Sequence, residues 1–258
     1  MALALTGPGF AARDRGADGK FSERKSIHFQ LYQDVAIDRF SGAGGSRQFE
    51  VSVLEILENA YGSVGQHIGL RPRTRIDVWI YDPAVFDQRF QNSFRFRAAG
   101  FFNGAIHIRG GTRVGAQLVR TLHHEYVHAA FHATRPSLVV PAFINEGVAE
   151  WFENLALGKR GLSDGEQRVL KAVANQRGLL PTRTLLRTGF VDVPSNQAGL
   201  AYLQSYATIE YLVRRYGVRS LRDFVSEIFR SGDMNRALRS AYGLSLADLE
   251  AKIRQELR

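Results

Sequence analysis

The spacing of apolar residues changes period along this chain, and each change marks an element. Residues 27–31 (IHFQL) and 75–81 (RIDVWIY) alternate apolar with polar positions, as a half-buried strand does, with Ile76, Val78 and Ile80 on one face. Between them Phe49, Val53, Leu54, Ile56, Leu57, Tyr61 and Val64 recur at helical spacing, and the run stops at Gly69. Asp82 before Pro83 starts a short helix, and Asn103-Gly104 between two apolar runs in residues 94–110 predicts a hairpin. After Gly110-Gly111 the period is helical almost throughout. Thr112 is placed to cap a helix with Val114, Leu118, Leu122 and Ala129 on its apolar face, ended by Pro136. Pro141 opens the next helix and Gly158 closes it; Ser163 with Glu166 forms a capping box. Further helices are expected over 197–216, 218–231, 233–242 and 245–257, with Asp233 and Ser245 as caps. The pattern predicts an α+β fold with a small mixed sheet lobe over 27–135, a helical lobe over 136–258, and no internal repeat.

Composition narrows the chemistry. The chain has 258 residues, 45% of them hydrophobic, enough for one packed domain over 27–258. Residues 7–25 are Gly-rich and charged, so residues 1–26 read as a flexible arm. With no Cys, any metal must be held by His, Asp or Glu. The net charge of +9 comes mostly from Arg scattered along the chain rather than gathered in a stripe, so no nucleic-acid partner is expected. No apolar stretch approaches the length of a transmembrane helix, and the opening MALALTGPGF is too short and lacks the basic start of a secretory signal.

One short run carries the candidate chemistry: residues 123–128, HHEYVH. His124 and His128 are four apart, so on a helix their side chains share a face and can grip one ion. Glu125 is rotated about 100° from His124 around the axis, where it can miss the ion and reach a water beside it, the place of a general base. A catalytic zinc usually takes three protein ligands. His132 continues the spacing but lies about 12 Å along the axis from His124, too far to join the same ion. His123 points away from the pair and reads as solvated or as a support to the ligands. The third ligand is therefore expected from the next helix, where Glu146, Glu150 and Glu153 fall close to one face.

His124-Glu125-x-x-His128 followed by Asn145-Glu146-Gly147-x-Ala149-Glu150 resembles the gluzincin metallopeptidases, and most closely the small bacterial peptidase MA-like members, over most of residues 27–258. The resemblance implies a zincin-like fold with the active-site helix between its two lobes, and a single Zn2+ held by His124, His128 and Glu146. It makes Glu125 the catalytic base and gives Glu150 a hydrogen bond to a ligand imidazole. Residues 201–217 (AYLQSYATIEYLVRRYG) are similar to the gluzincin helix that bears a catalytic tyrosine, which places Tyr202 in that role with Tyr206 as the other candidate. By the same resemblance, the strand before the zinc helix pairs with an extended substrate, so Phe101, Phe102, Ala105 and Ile106 become candidate substrate-binding residues. His107 on that strand reads as structural. The partner implied is a peptide or protein substrate, and the compartment secreted or periplasmic. Seventeen residues separate His128 from Glu146, slightly fewer than in the best-known members, and no GxMEN-type segment is present, which argues against an aminopeptidase. Two other classes remain: a zincin-fold module that binds peptide or cell wall without catalysis, which would have no need of Glu125, and a basic nucleic-acid-binding protein.

Overall fold

The structure is a computed structural model and describes residues 21–34, 45–90, 98–110, 114–190 and 193–257. A five-stranded sheet forms first. Strands β1 (Phe21–Lys25) and β2 (Phe29–Asp34) are antiparallel, helix α1 (Gly45–Ile68) crosses over, and β3 (Ile76–Tyr81) returns parallel to β2. Helix α2 (Pro83–Phe90) precedes β4 (Gly100–Phe102) and β5 (Ile106–Arg109); β5 pairs parallel to β3, and β4 lies outside it, antiparallel. The order across the sheet is β1-β2-β3-β5-β4, so β4 is its last strand among the described residues.

The strand alternation sorts the two faces. Phe29, Leu31, Val78, Ile80, Ile106 and Ile108 point inward and are essentially inaccessible to solvent, with Val53, Leu57, Ala60 and Val64 of α1 buried in the same core. Burying one such Leu or Ile side chain contributes about 1.5–3 kcal/mol, so the helical period of α1 and the strand period of β2 and β3 are fixed by one shared core. On the outer face, Phe101, His107 and Tyr81 meet Phe86 and Phe90 of α2. His107 is held there by Tyr81 Oη at 2.9 Å and Asn103 Oδ1 at 2.8 Å, a structural place as the sequence suggests.

The rest of the described chain is helical: α3 (Ala116–Thr134), α4 (Ala142–Ala156), α5 (Asp164–Asn175), the short α6 (Thr182–Leu185), α7 (Ser195–Ser231), α8 (Met234–Tyr242) and α9 (Leu246–Glu256). Ser163 and Ser245 form capping boxes, with Glu166 and Asp248 as their reciprocal partners, and the Asp233 side chain accepts from Arg236 N. The break expected between 216 and 218 falls at Gly217, whose φ of 84° and ψ of 159° end one helical segment of α7 and start the next. Among the described residues no helix is long and apolar enough to cross a membrane.

Three expectations change. Residues 21–25, read as part of a flexible arm, form β1. Its backbone pairs with β2, Arg24 Nε donates to Glu50 Oε2 of α1 at 2.6 Å, and Phe21 packs edge-on against Trp79 and Tyr81. Charged residues on an edge strand hide its pattern, because both strand faces carry polar positions. The first strand of the sequence reading shifts from 27–31 to Phe29–Asp34, leaving Ile27 exposed in the turn. Helix α3 begins at Ala116 after an extended Gly115 with no side-chain cap, and Val114 lies before it, exposed. The cap expected at Thr112 and the arm over residues 1–20 lie outside the described residues.

Candidate metal centre

Helix α3 packs on β4, β5 and α1, and on α4. His128 meets Asn145 near the start of α4, whereas His124, one turn earlier on α3, meets Glu153 near its end, so the two helices run antiparallel. A second close approach fixes α4 from its other side. A Cβ on Gly147 would stand 2.6 Å from the Ser205 carbonyl oxygen and 2.8 Å from Ile209 Cγ1, so glycine lets α4 lie directly on α7. Glu146 is next to that contact and Tyr202 is one turn from Ser205, which brings two separate helices to one place.

Three ligand atoms converge there. Glu146 Oε2 lies 3.3 Å from His124 Nε2 and 3.6 Å from His128 Nε2, and the two imidazole centroids are 4.9 Å apart. His124, His128 and Glu146 form a group whose ligand atoms all lie within 4.8 Å of one another. The opposite ring nitrogens are already occupied: His124 Nδ1 donates to Glu153 Oε2 at 3.1 Å and His128 Nδ1 to Asn145 Oδ1 at 3.0 Å. With Nδ1 engaged as a donor, each ring turns Nε2 toward Glu146, and a neutral ring so held would offer its Nε2 lone pair to an ion, as a ligand imidazole needs.

The electrostatics agree with the geometry. Burial alone would raise the Glu146 carboxyl, but the imidazoles of His128 and His124 reverse this and hold it far below the ordinary carboxylate range. Burial alone would depress His124, but hydrogen bonds to Glu146 and Glu153 raise it well above the usual histidine value, and Glu146 raises His128 in the same way. Anionic carboxylate and cationic imidazole are both favoured, which marks a pocket that stabilises positive charge between these atoms. The donor set, two imidazole nitrogens and one carboxylate oxygen with supported second nitrogens, fits a zinc ion.

Glu125 is buried beside the group; burial raises its carboxyl, and the charges of His124 and His128 partly oppose that. Tyr202 packs against Phe190 with ring centroids 5.4 Å apart, and its phenol is raised by burial and then by the charges of Glu146, Glu125 and Glu150. Tyr206 is committed elsewhere: its hydroxyl donates to Gly161 O at 3.0 Å and its ring lies under Lys159.

Other expected residues move. Glu150 was expected to support a ligand imidazole, but the hydrogen bond to His124 comes from Glu153. The antiparallel offset means that the carboxylate reaching Nδ1 comes two turns past Glu146, not one. Glu150 stays beside it, raised by burial and by the charge of Glu153. His123 is neither solvated nor a support to the ligands; it is buried and its Nδ1 bonds Val119 O of its own helix at 2.9 Å. His132 is exposed and lies outside the group, as its distance along α3 requires.

The substrate-strand residues divide by strand alternation. Phe102 turns to the α3 side, its ring 5.4 Å from His132, and Ala105 is half-buried at the hairpin. Phe101 faces the opposite side of the sheet, stacked on His107 at 4.7 Å, and Ile106 is wholly in the core. The side chain of Phe101 is withdrawn as a substrate contact because it faces away from α3, and that of Ile106, which lies opposite Phe102, because it is fully buried in the core. Arg120 escaped the sequence reading, Asn145 entered it only as part of the Asn-Glu segment without its bond to His128, and Glu153 only as a possible ligand. Arg120 was visible as the position one turn before His124, and Asn145 as the residue beside Glu146 with an amide side chain.

Comparison with known families matches residues 58–258 to the peptidase MA superfamily. The chain belongs to this superfamily. The match covers α3, α4 and α7, every element that contributes to the centre, and peptidase MA membership points to a metal-dependent peptidase acting on peptide or protein substrates. No curated protein matches the chain.

Proposed function

We propose that this peptidase MA protein is a zinc-dependent metallopeptidase that hydrolyses peptide bonds, with one ion held by His124, His128 and Glu146. The observation that carries the proposal is the convergence of His124 Nε2, His128 Nε2 and Glu146 Oε2, with both Nδ1 atoms held from behind and Glu125 buried alongside. Zinc bound by these three residues would supply the Lewis acidity that lowers the pKa of water and polarises a carbonyl near neutral pH.

Glu125 takes the proton of the attacking water and delivers it to the leaving amine nitrogen. Its burial raises its basicity, in the direction a general base requires. Tyr202, kept protonated by burial and surrounding carboxylates, donates a hydrogen bond to the oxyanion that develops on the carbonyl oxygen. The backbone of β4, at the edge of the sheet and against α3, pairs with an extended peptide, and main-chain pairing of that kind demands little of the substrate sequence. Cleavage of an unfolded protein by wild type and by Glu125→Gln tests the assignment. Loss of cleavage with zinc retained supports it, and full activity in the variant refutes the role of Glu125.

A further inference from the structure

Glu153 divides its carboxylate between two partners. Oε2 accepts from His124 Nδ1 at 3.1 Å, while Oε1 accepts from Arg120 Nε at 2.9 Å and also from Arg120 Nη2. Arg120 stands one turn before His124 on α3, so guanidinium and imidazole approach one carboxylate from the same face of one helix. Resting on the zinc-site reading above, we infer that Arg120 is a positioning residue of the metal centre, which holds Glu153 so that His124 is fixed with Nδ1–H as donor and Nε2 toward the ion.

The carboxylate needs such a holder. Glu153 is buried, with 8% of its side chain exposed, and shares its surroundings with Glu150, whose ligand atom falls with those of Glu153 and His124 inside 4.8 Å. A carboxylate buried beside another needs a cationic, hydrogen-bonding partner to hold it in one place. Arg120 is that partner, with a guanidinium that is always charged and that contacts the carboxylate through Nε and Nη2. The guanidinium also places two N–H groups on Oε1 alone, which settles the carboxylate's rotation and leaves Oε2 free for the imidazole. Lysine would bring charge without that fork.

The test is zinc affinity of the full chain by competition with a chromophoric chelator, together with thermal melting of the metal-free protein. The set is wild type, Arg120→Gln, Arg120→Lys, Glu153→Gln and the double variant Arg120→Gln/Glu153→Gln. Support for a ligand imidazole is typically worth about 10- to 100-fold in metal affinity. Glu153→Gln is expected to fall in that range and Arg120→Gln to lose about 10-fold, with Arg120→Lys between Arg120→Gln and wild type. The double variant should bind no more weakly than Glu153→Gln alone, because Arg120 acts only through that carboxylate. Unchanged affinity in Arg120→Gln, or losses that multiply in the double variant, overturns the inference. Should Arg120→Gln fail to fold, Arg120→Lys decides, since affinity equal to wild type removes the role of the fork. Wild type that binds zinc normally beside an unaffected Arg120→Gln sinks only the role of Arg120, whereas wild type that binds no zinc sinks the metal site and this inference together.

Discussion

Gly147→Ala tests the packing that assembles the centre. The added methyl would sit 2.6 Å from Ser205 O, 2.9 Å from Ser205 C and 2.8 Å from Ile209 Cγ1, and two of those atoms are backbone, so no side-chain rotation relieves the contact. Helices α4 and α7 must part by several tenths of an ångström, and overpacking of this kind costs about 1–3 kcal/mol. Alanine returns up to about 1 kcal/mol through its better helix propensity, so the net loss lies between near zero and about 2 kcal/mol, and stays about 1–3 kcal/mol relative to a glycine-to-alanine change without the clash. For a chain of this size that corresponds to a fall in melting temperature of up to about 8 °C. Gly62→Ala is the matched control: it lies within α1 with nothing within 4 Å of the new atom, so the propensity gain stands alone and stability should hold or rise. The assay is thermal or urea unfolding of both variants beside wild type. Gly147→Ala as stable as Gly62→Ala would show that α4 does not lie on the α7 backbone as described, and the placing of Tyr202 beside Glu146 would lose its support.

The two tyrosines separate by their hydroxyls. Tyr202→Phe is expected to lower kcat about 100-fold with a small change in KM, whereas Tyr206→Phe loses only its bond to Gly161 O and about 1 kcal/mol of stability; steady-state kinetics and melting of both variants check this, and the reverse pattern would exchange their roles. His107 predicts acid sensitivity away from the centre. Burial, and secondarily Arg89, hold its imidazole down to about 4 against an ordinary 6.5, so below the ordinary value the unfolded chain binds the proton more readily. Its contribution is fully present above about pH 6.5 and is lost as the pH falls toward 4, amounting to about 2–3 kcal/mol between pH 7 and pH 4.5. Urea unfolding at those two pH values should show a smaller drop in His107→Gln than in wild type, and equal drops would refute the assignment.

What could be read from the sequence is what depends on local geometry. The His124-Glu125-x-x-His128 pair was legible because helical pitch alone puts positions four apart on one face. The Asn103-Gly104 hairpin was legible because its turn demands the positive φ of 109° that Gly104 adopts. Gly69, Gly158 and Gly217 marked helix ends or a break for the same local reason. The choice between Glu150 and Glu153 depended on how far α4 slides along α3, a packing quantity that periodicity does not contain. Strand β1 escaped because its stability comes from pairing with β2 and from Glu50 on a distant helix rather than from its own apolar content. The hairpin was found but its faces were not sorted, although strict alternation forbids Phe101 and Phe102 from both facing α3.

Elemental analysis of zinc in purified wild type and Glu146→Ala, run beside protein cleavage by wild type and Glu125→Gln, tests the central claim most directly. One zinc per chain is expected, lost or greatly weakened in Glu146→Ala, with zinc retained and cleavage abolished in Glu125→Gln. Wild type that takes up no zinc after supplementation, or Glu146→Ala that keeps its full zinc content, would contradict it.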